Sequence, residues 1–149
     1  MAIARGAGTE ILRTGLFEDV NSTAQMMIIG VQHHVYTVLS VTAHAVALNA
    51  DTDFVYMYLV GYDSKGGTAG QDIMIFKQDM SVAQTYVWND KFSFNGYDPV
   101  DFAGPLDDAT KQDAIADQGG SNAQVLNIRA EHASDAFDIT CTYIDQNNA

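Results

Sequence analysis

The sequence predicts an all-β protein, an antiparallel β-sandwich of about eight strands for which the jelly roll is one available form. Three observations lead there. Val35 to Val46 reads VYTVLSVTAHAV, a strand-length run with no formal charge and many β-branched residues, and further runs of this kind follow. Asp, Asn and Gly cluster between these runs, as turns require. Helices do not alternate with the strands: a parallel pair needs a crossover of about a dozen residues or more, and only segment 95–122 is long enough to supply one.

Taken in order, residues 1–8 contain Gly6 and Gly8 and little that packs, so they read as a flexible arm preceding a single domain at 9–149. Thr9–Phe17 and Gln25–Gln32 read as the first two strands, joined by the polar segment Glu18–Thr23. Residues 33–47 form the long strand. Its odd positions Val35, Leu39, Val41 and Ala43 are apolar, while Tyr36, Ser40, Thr42 and His44 fall on even positions, which is period-two alternation with one buried face. Asn49–Asp53 is a turn, and Phe54–Tyr62 the next strand, with Phe54, Tyr56 and Tyr58 on one face. Asp63–Gly70 is a glycine-rich connection. Ile73–Phe76 and Gln84–Trp88 follow as strands, the second extended by Lys91–Phe94. Residues 95–105 hold both prolines, Pro99 and Pro105, and form an irregular excursion. Asp107–Gln118 is the one helix, capped by Asp107 or Asp108 and stopped by Gly119-Gly120. Ala123–Ala130 and Phe137–Ile144 close the chain.

The 149 residues suit one domain with a real core, and the apolar fraction of 47% is that of a globular chain. Charged residues make up only 17%. Two explanations stand: part of the surface is covered by another subunit, or Asn, Gln, Ser and Thr replace charges there. Net charge is −12, carried almost wholly by Asp, with Glu only at positions 10, 18 and 131. This field repels nucleic-acid phosphates, and the seven cations are scattered, so nucleic-acid binding is not expected. No run reaches the length of a membrane span or of a signal-peptide core, so the chain is expected to be soluble and made in a cytoplasm. Cys141 lies in AFDITCTYI and reads as a small buried hydrophobe rather than a nucleophile.

No catalytic or cofactor motif emerges, and no metal site is assigned. His33 and His34 point to opposite faces if both lie in a strand, and His34 and His44 are too far apart along one strand to share an ion. A zinc site would need His132 or a carboxylate brought in by the fold. Asn49, Asp51 and Asp53 have the spacing that opens a calcium loop, but Phe54 and Val60 stand where that loop needs Gly and Glu, which leaves a solvated turn as the simpler reading. Tyr86, Trp88, Phe92 and Phe94 share parity. They read as core, with a sugar-stacking platform centred on Trp88 as the alternative. The candidate contact residues are Arg5 and Arg13 near the less acidic start, and Tyr56 and Tyr58 on the aromatic face.

The start MAIARGAGTEILRTGLFED, the β-rich body from VQHHVYTVLSV through VWNDKFSFNG, and the cysteine-poor acidic composition resemble structural proteins of tailed-bacteriophage virions, most closely the small capsid decoration, or cement, proteins. The resemblance implies a β-sandwich subunit, trimeric or dimeric, seated on the capsid surface. There it bridges major capsid protein or other virion subunits against internal DNA pressure. It implies neither catalysis nor a cofactor. Another virion part (tail, collar or head–tail joining protein) and a carbohydrate-binding module are the alternatives.

Overall fold

The computed structural model describes residues 9–61, 72–98 and 122–147. The arm at 1–8 with Arg5, the connection Asp63–Gly70, the helix at Asp107–Gln118 and most of the proline-bearing excursion lie outside the described residues. Among the described residues there are nine strands: β1 Thr9–Val20, β2 Gln25–Ile29, β3 His34–Ala47, β4 Asp53–Val60, β5 Asp72–Met80, β6 Thr85–Trp88, β7 Phe92–Asn95, β8 Val125–Ala130 and β9 Ala136–Asn147.

All pairings are antiparallel, and they nest. β1 pairs with β9, β2 with β8, β3 with β6 and β7, and β4 with β5. That is one long ribbon whose closed end is β4–β5. Wrapping the ribbon round itself creates two further pairings, β9 with β3 and β8 with β4. It thereby divides the strands into two sheets, β1-β9-β3-β6/β7 and β2-β8-β4-β5. Two sheets in this order are the jelly-roll form of the sandwich.

β6 and β7 are one strand broken by a bulge. Between the pairs Val41↔Trp88 and Val38↔Phe92, β3 advances three residues and its partner four. The extra residue is accommodated with Lys91 at φ 58°. The aromatic parity survives this break. Trp88 and Phe94 are buried, and Tyr86 and Phe92 pack against the core. Their rings run in contact from Phe76 through Trp88 and Phe92 to Phe94 and Tyr36, with centroids 5.4–6.3 Å apart.

β3 corrects a simple alternation. Its pairing with β9 slips between Val38 and Ser40. Tyr36 and Val38 therefore face inward on even positions, whereas Val41, Ala43 and Ala45 face inward on odd ones. A single inserted residue flips every side chain beyond it, so Tyr36 is core and Leu39 is not. His33 sits in a turn at φ 68°, before the strand begins, and not within it. β1 runs three residues past its expected end, because a bulge with Asp19 at φ 55° turns Val20 inward to pair with Phe137.

Phe137, Met57, Leu126, Ile128, Ile139, Val20, Val38, Val41, Val55 and Cys141 are fully buried. Each large side chain among them contributes roughly 1.5–3 kcal/mol by leaving water. Burial pushes the Cys141 thiol up to about 12, which suits a packing residue and not a nucleophile.

One end of the sandwich is tied by a chain of backbone hydrogen bonds. Gly30 N–H donates to Gln124 O at 2.8 Å, Gln124 N–H to Gly96 O at 2.8 Å, and Gly96 N–H to His34 O at 2.7 Å. Gly30 follows β2 and Gln124 precedes β8 in one sheet, whereas Gly96 follows β7 and His34 opens β3 in the other, so the chain of bonds joins the two sheets.

Candidate functional site

The inward positions of β9 change character along the strand. Phe137, Ile139 and Cys141 are apolar; Tyr143 and Asp145 follow toward the open end. On β1, Arg13 takes an inward position opposite Tyr143, where a core strand would carry an aliphatic residue. Its Nε donates to Asp145 Oδ2 at 3.0 Å. The Asp145 side chain is 8% exposed, and its other oxygen meets His34 Nδ1 at 2.5 Å. One buried carboxylate thus holds an arginine and a histidine from the two neighbouring strands, as buried charge requires.

Arg13, Asp145, Tyr143 and Tyr36 floor a groove of about 340 Å³ whose other wall is Met26, Met27, Ile28, Ile29 and Val31. The Val31 N–H donates to Tyr36 Oη at 3.1 Å. Burial, and then the Asp145 charge, push the Tyr36 phenol up to about 12, so it stays neutral across the physiological range. Tyr143 is raised too, chiefly by burial. Replacing Tyr36 with Phe strands the Val31 N–H. The expected cost is about 1–2 kcal/mol of stability, read as a lower urea midpoint with an unchanged slope.

The groove lies where β1 and β2, the outer strands of the two sheets, run side by side. Both expose large apolar side chains: Leu12 (66%) and Leu16 (62%) on β1, and Met26, Ile29 and, just beyond β2, Val31. β1 is also a long unbroken edge. Its register with β9 holds through nine consecutive pairs from Thr9↔Asn147 to Phe17↔Ile139. The opposite edge of that sheet is interrupted by the β6–β7 bulge, and β2 is short and bulged. Natural sheets blunt or cover their edges, and β1 is not blunted by bulge or proline over that stretch.

Among the sequence-based candidates, Arg13 lies in this groove. Tyr56 and Tyr58 lie on the other sheet, in a ladder with Phe54 whose centroids are 5.6 Å apart. Lys77 Nζ stands 3.8 Å from the Phe54 ring centre, and the Arg129 guanidinium 5.1 Å from that of Tyr56. Tyr58 is only 7% exposed, and burial followed by the Asp72 charge raises its phenol, so Tyr56 is the accessible member of the two. Trp88 is 7% exposed inside the core, which removes the sugar-platform reading of that residue. Asp145 and His34 are not among the contact candidates that the sequence offers. The signal for them is the polar residue that ends the inward parity of the last strand.

At the other end of β8, Asp53, Glu131 and His132 come together. The register Val55↔Ala130, continued past the strand, sets Asp53 opposite His132. His132 Nε2 is 3.7 Å from both Asp53 Oδ1 and Glu131 Oε1. Asp53 is not part of a solvated turn: it is 2% exposed, and its Oδ2 accepts the N–H groups of Asn49 and Ala50, each at 3.1 Å. His44, on the outer face of β3, bonds Thr85 Oγ1 at 2.8 Å and joins neither group.

Comparison with known proteins assigns no family. No family model matches the chain, and no curated protein does. Among solved structures, similarity is found to a chain from a study titled "Bacillus endospore appendages form a novel family of disulfide-linked pili", at 10% identity and a TM-score of 0.44, covering 100% of this chain and 97% of that one. A likeness this slight assigns no function. No helix among the described residues is long and apolar enough to cross a membrane.

Proposed function

We propose that this chain is a structural virion subunit, a decoration protein that seats on the capsid of a tailed phage and bridges neighbouring shell subunits. The observation that carries the docking role is the β1 edge: twelve residues long, regular through nine consecutive pairs, with Leu12 and Leu16 exposed on its outer face and Arg13 in the groove on its inner face. Past Thr9, no strand among the described residues pairs with the outer side of β1, and an edge of this kind offers backbone groups and apolar surface together, which another chain can satisfy by strand addition or face packing. The jelly roll supports the reading as a rigid mechanical body, and the net charge of −12 supports it by keeping decorated particles apart.

The test is assembly. Sedimentation of the purified chain is expected to show a dimer or trimer, and the double variant Leu12→Ser, Leu16→Ser is expected to shift it to monomer with an unchanged circular dichroism spectrum. Purified particles should carry the protein in hundreds of copies, as a shell lattice requires; a dozen or fewer would move the role to the tail axis. A chain that stays monomeric at its highest soluble concentration and is absent from particles defeats the proposal.

A further inference from the structure

We propose that Asp53, Glu131 and His132 form a binding site for a divalent transition-metal ion, with zinc as its probe. The site lies where β8 turns into β9 and is separate from the β1 edge. The argument starts from register. Because β4 and β8 are antiparallel neighbours with Val55 opposite Ala130, the first residue of β4 and the second residue past β8 become cross-strand partners. This places the imidazole of His132 over the carboxylate of Asp53, with Glu131 beside both. One ligand atom from each of the three lies within 4.8 Å of the others. At zinc–ligand distances of about 2.0–2.2 Å, two atoms 3.7 Å apart, as His132 Nε2 is from each carboxylate, subtend an angle of about 120° at a shared ion. A small side-chain rotation brings that to a tetrahedral angle.

The buried carboxylate points to a cation independently of this spacing. Asp53 is 2% exposed, and among the described residues its only ion-pair neighbour is His132, at a distance too long for a hydrogen bond. Its Oδ2 is taken by two backbone N–H groups, and its Oδ1 faces the cluster. Buried carboxylate oxygens are ordinarily paired or bound to metal. Glu131 adds a second negative charge, and its Oε2 accepts the Phe54 N–H at 3.4 Å, leaving Oε1 toward His132.

The frame around the ligands is rigid. The His132 N–H donates to Asp135 Oδ2 at 2.9 Å, Asp135 Oδ1 accepts the Asn49 N–H at 2.9 Å, and His132 O accepts the Ser22 N–H at 3.2 Å. The turn that carries His132 is thus tied, through the buried Asp135, to the loop that leads into Asp53, the sort of outer support that holds ligands in place. One imidazole and two carboxylates suit zinc or a neighbouring transition metal. They are too few, and one is the wrong kind, for the six to eight oxygens calcium takes. Glu131 and His132 keep part of their surface in solvent, so the fourth position is open to water.

The test is titration of the metal-stripped full chain with zinc chloride, calcium chloride serving as the contrast, followed by calorimetry and by imidazole NMR. One zinc per chain is expected, shifting the His132 resonances and raising the thermal midpoint, with calcium giving no comparable effect. Glu131→Gln and His132→Gln, at the two partly exposed positions, should each weaken zinc by about tenfold or more while circular dichroism and the metal-free midpoint hold. Absence of zinc binding, binding of undiminished strength in both variants, or shifts at His33, His34 or His44 instead of His132 would each overturn the site.

Discussion

Gly30→Ala and Gly96→Ala are each expected to lower stability by about 3 kcal/mol or more, among the largest effects of any single methyl group in this protein. A Cβ on Gly30 would stand 1.9 Å from Gly96 O and 2.6 Å from Gln124 O; one on Gly96 would stand 1.9 Å from Val31 O. Those neighbours are backbone atoms: Gly96 O and Gln124 O each accept one of the three hydrogen bonds that tie the sheets together, and Val31 O accepts the His34 N–H at 3.2 Å, so none can rotate away. The added methyl must push the sheets apart and stretch those bonds, and the N–H and C=O groups so released are costly to leave unpaired. Thermal melts should show midpoints lower by about 10 °C. Gly15→Ala is the control: its Cβ would meet only the Phe17 ring, at 3.1 Å, and a side chain can shift by that little. A Gly30→Ala protein that melts with the wild type, or a Gly15→Ala protein that falls as far, would show that the crossing is not the constraint it looks.

The second large effect is loss of stability in alkali. The Cys141 thiol is raised from 9.0 to about 12 and the Tyr36 phenol from 10.0 to about 12, both chiefly by burial; Tyr58 and Tyr143 are raised in the same sense. Each group releases its proton more readily in the unfolded chain than in the folded one. The stabilisation is therefore complete below the unfolded values, begins to fall above about pH 9, and goes on falling until the folded groups ionise near 12. Each tenfold tightening of proton binding on folding is worth about 1.4 kcal/mol, so Cys141 accounts for up to about 4 kcal/mol and Tyr36 for up to about 3. Together these approach the whole stability of an ordinary domain. Urea midpoints measured from neutral pH upward should drop steeply through this window. Cys141→Ala and Tyr36→Phe should each flatten part of the drop while starting from a somewhat lower midpoint. A midpoint that stays level through pH 11 would mean these groups are not held protonated by burial.

The fold class was legible because its signals are local. Period-two patterning, β-branched runs and Asp-rich turns name strands and breaks without reference to partners. The even parity of Tyr86, Trp88, Phe92 and Phe94 pointed to the core, and the bulge at Lys91 preserves it because the run from Trp88 to Phe92 is an even number of steps. In β3 the same rule fails at Leu39, where a bulge set by pairing with β9 reverses which residues face inward. Nothing in VYTVLSV marks that residue, since Val, Leu and Tyr can each pack on either face. The contact candidates divide similarly. Arg13 stands out in the sequence as a lone cation near the start. Its partner Asp145 looks there like one more acid near the end of the chain, and only the β1–β9 register reveals that the two share an inward face.

Composition and alternation by themselves determined that this chain builds antiparallel sheets, that Cys141 and the aromatic run are buried, and that no contiguous catalytic or phosphate-binding motif is written in it. Tertiary structure alone decided the nested order that makes the sandwich a jelly roll, the regular β1 edge with its groove, and the meeting of Asp53 with Glu131 and His132. The physical reason is range. A strand's existence depends on neighbours two residues away, whereas pairing partners, bulges and converging side chains depend on hydrogen bonds and packing between segments far apart in the chain, whose cost and gain no short window contains.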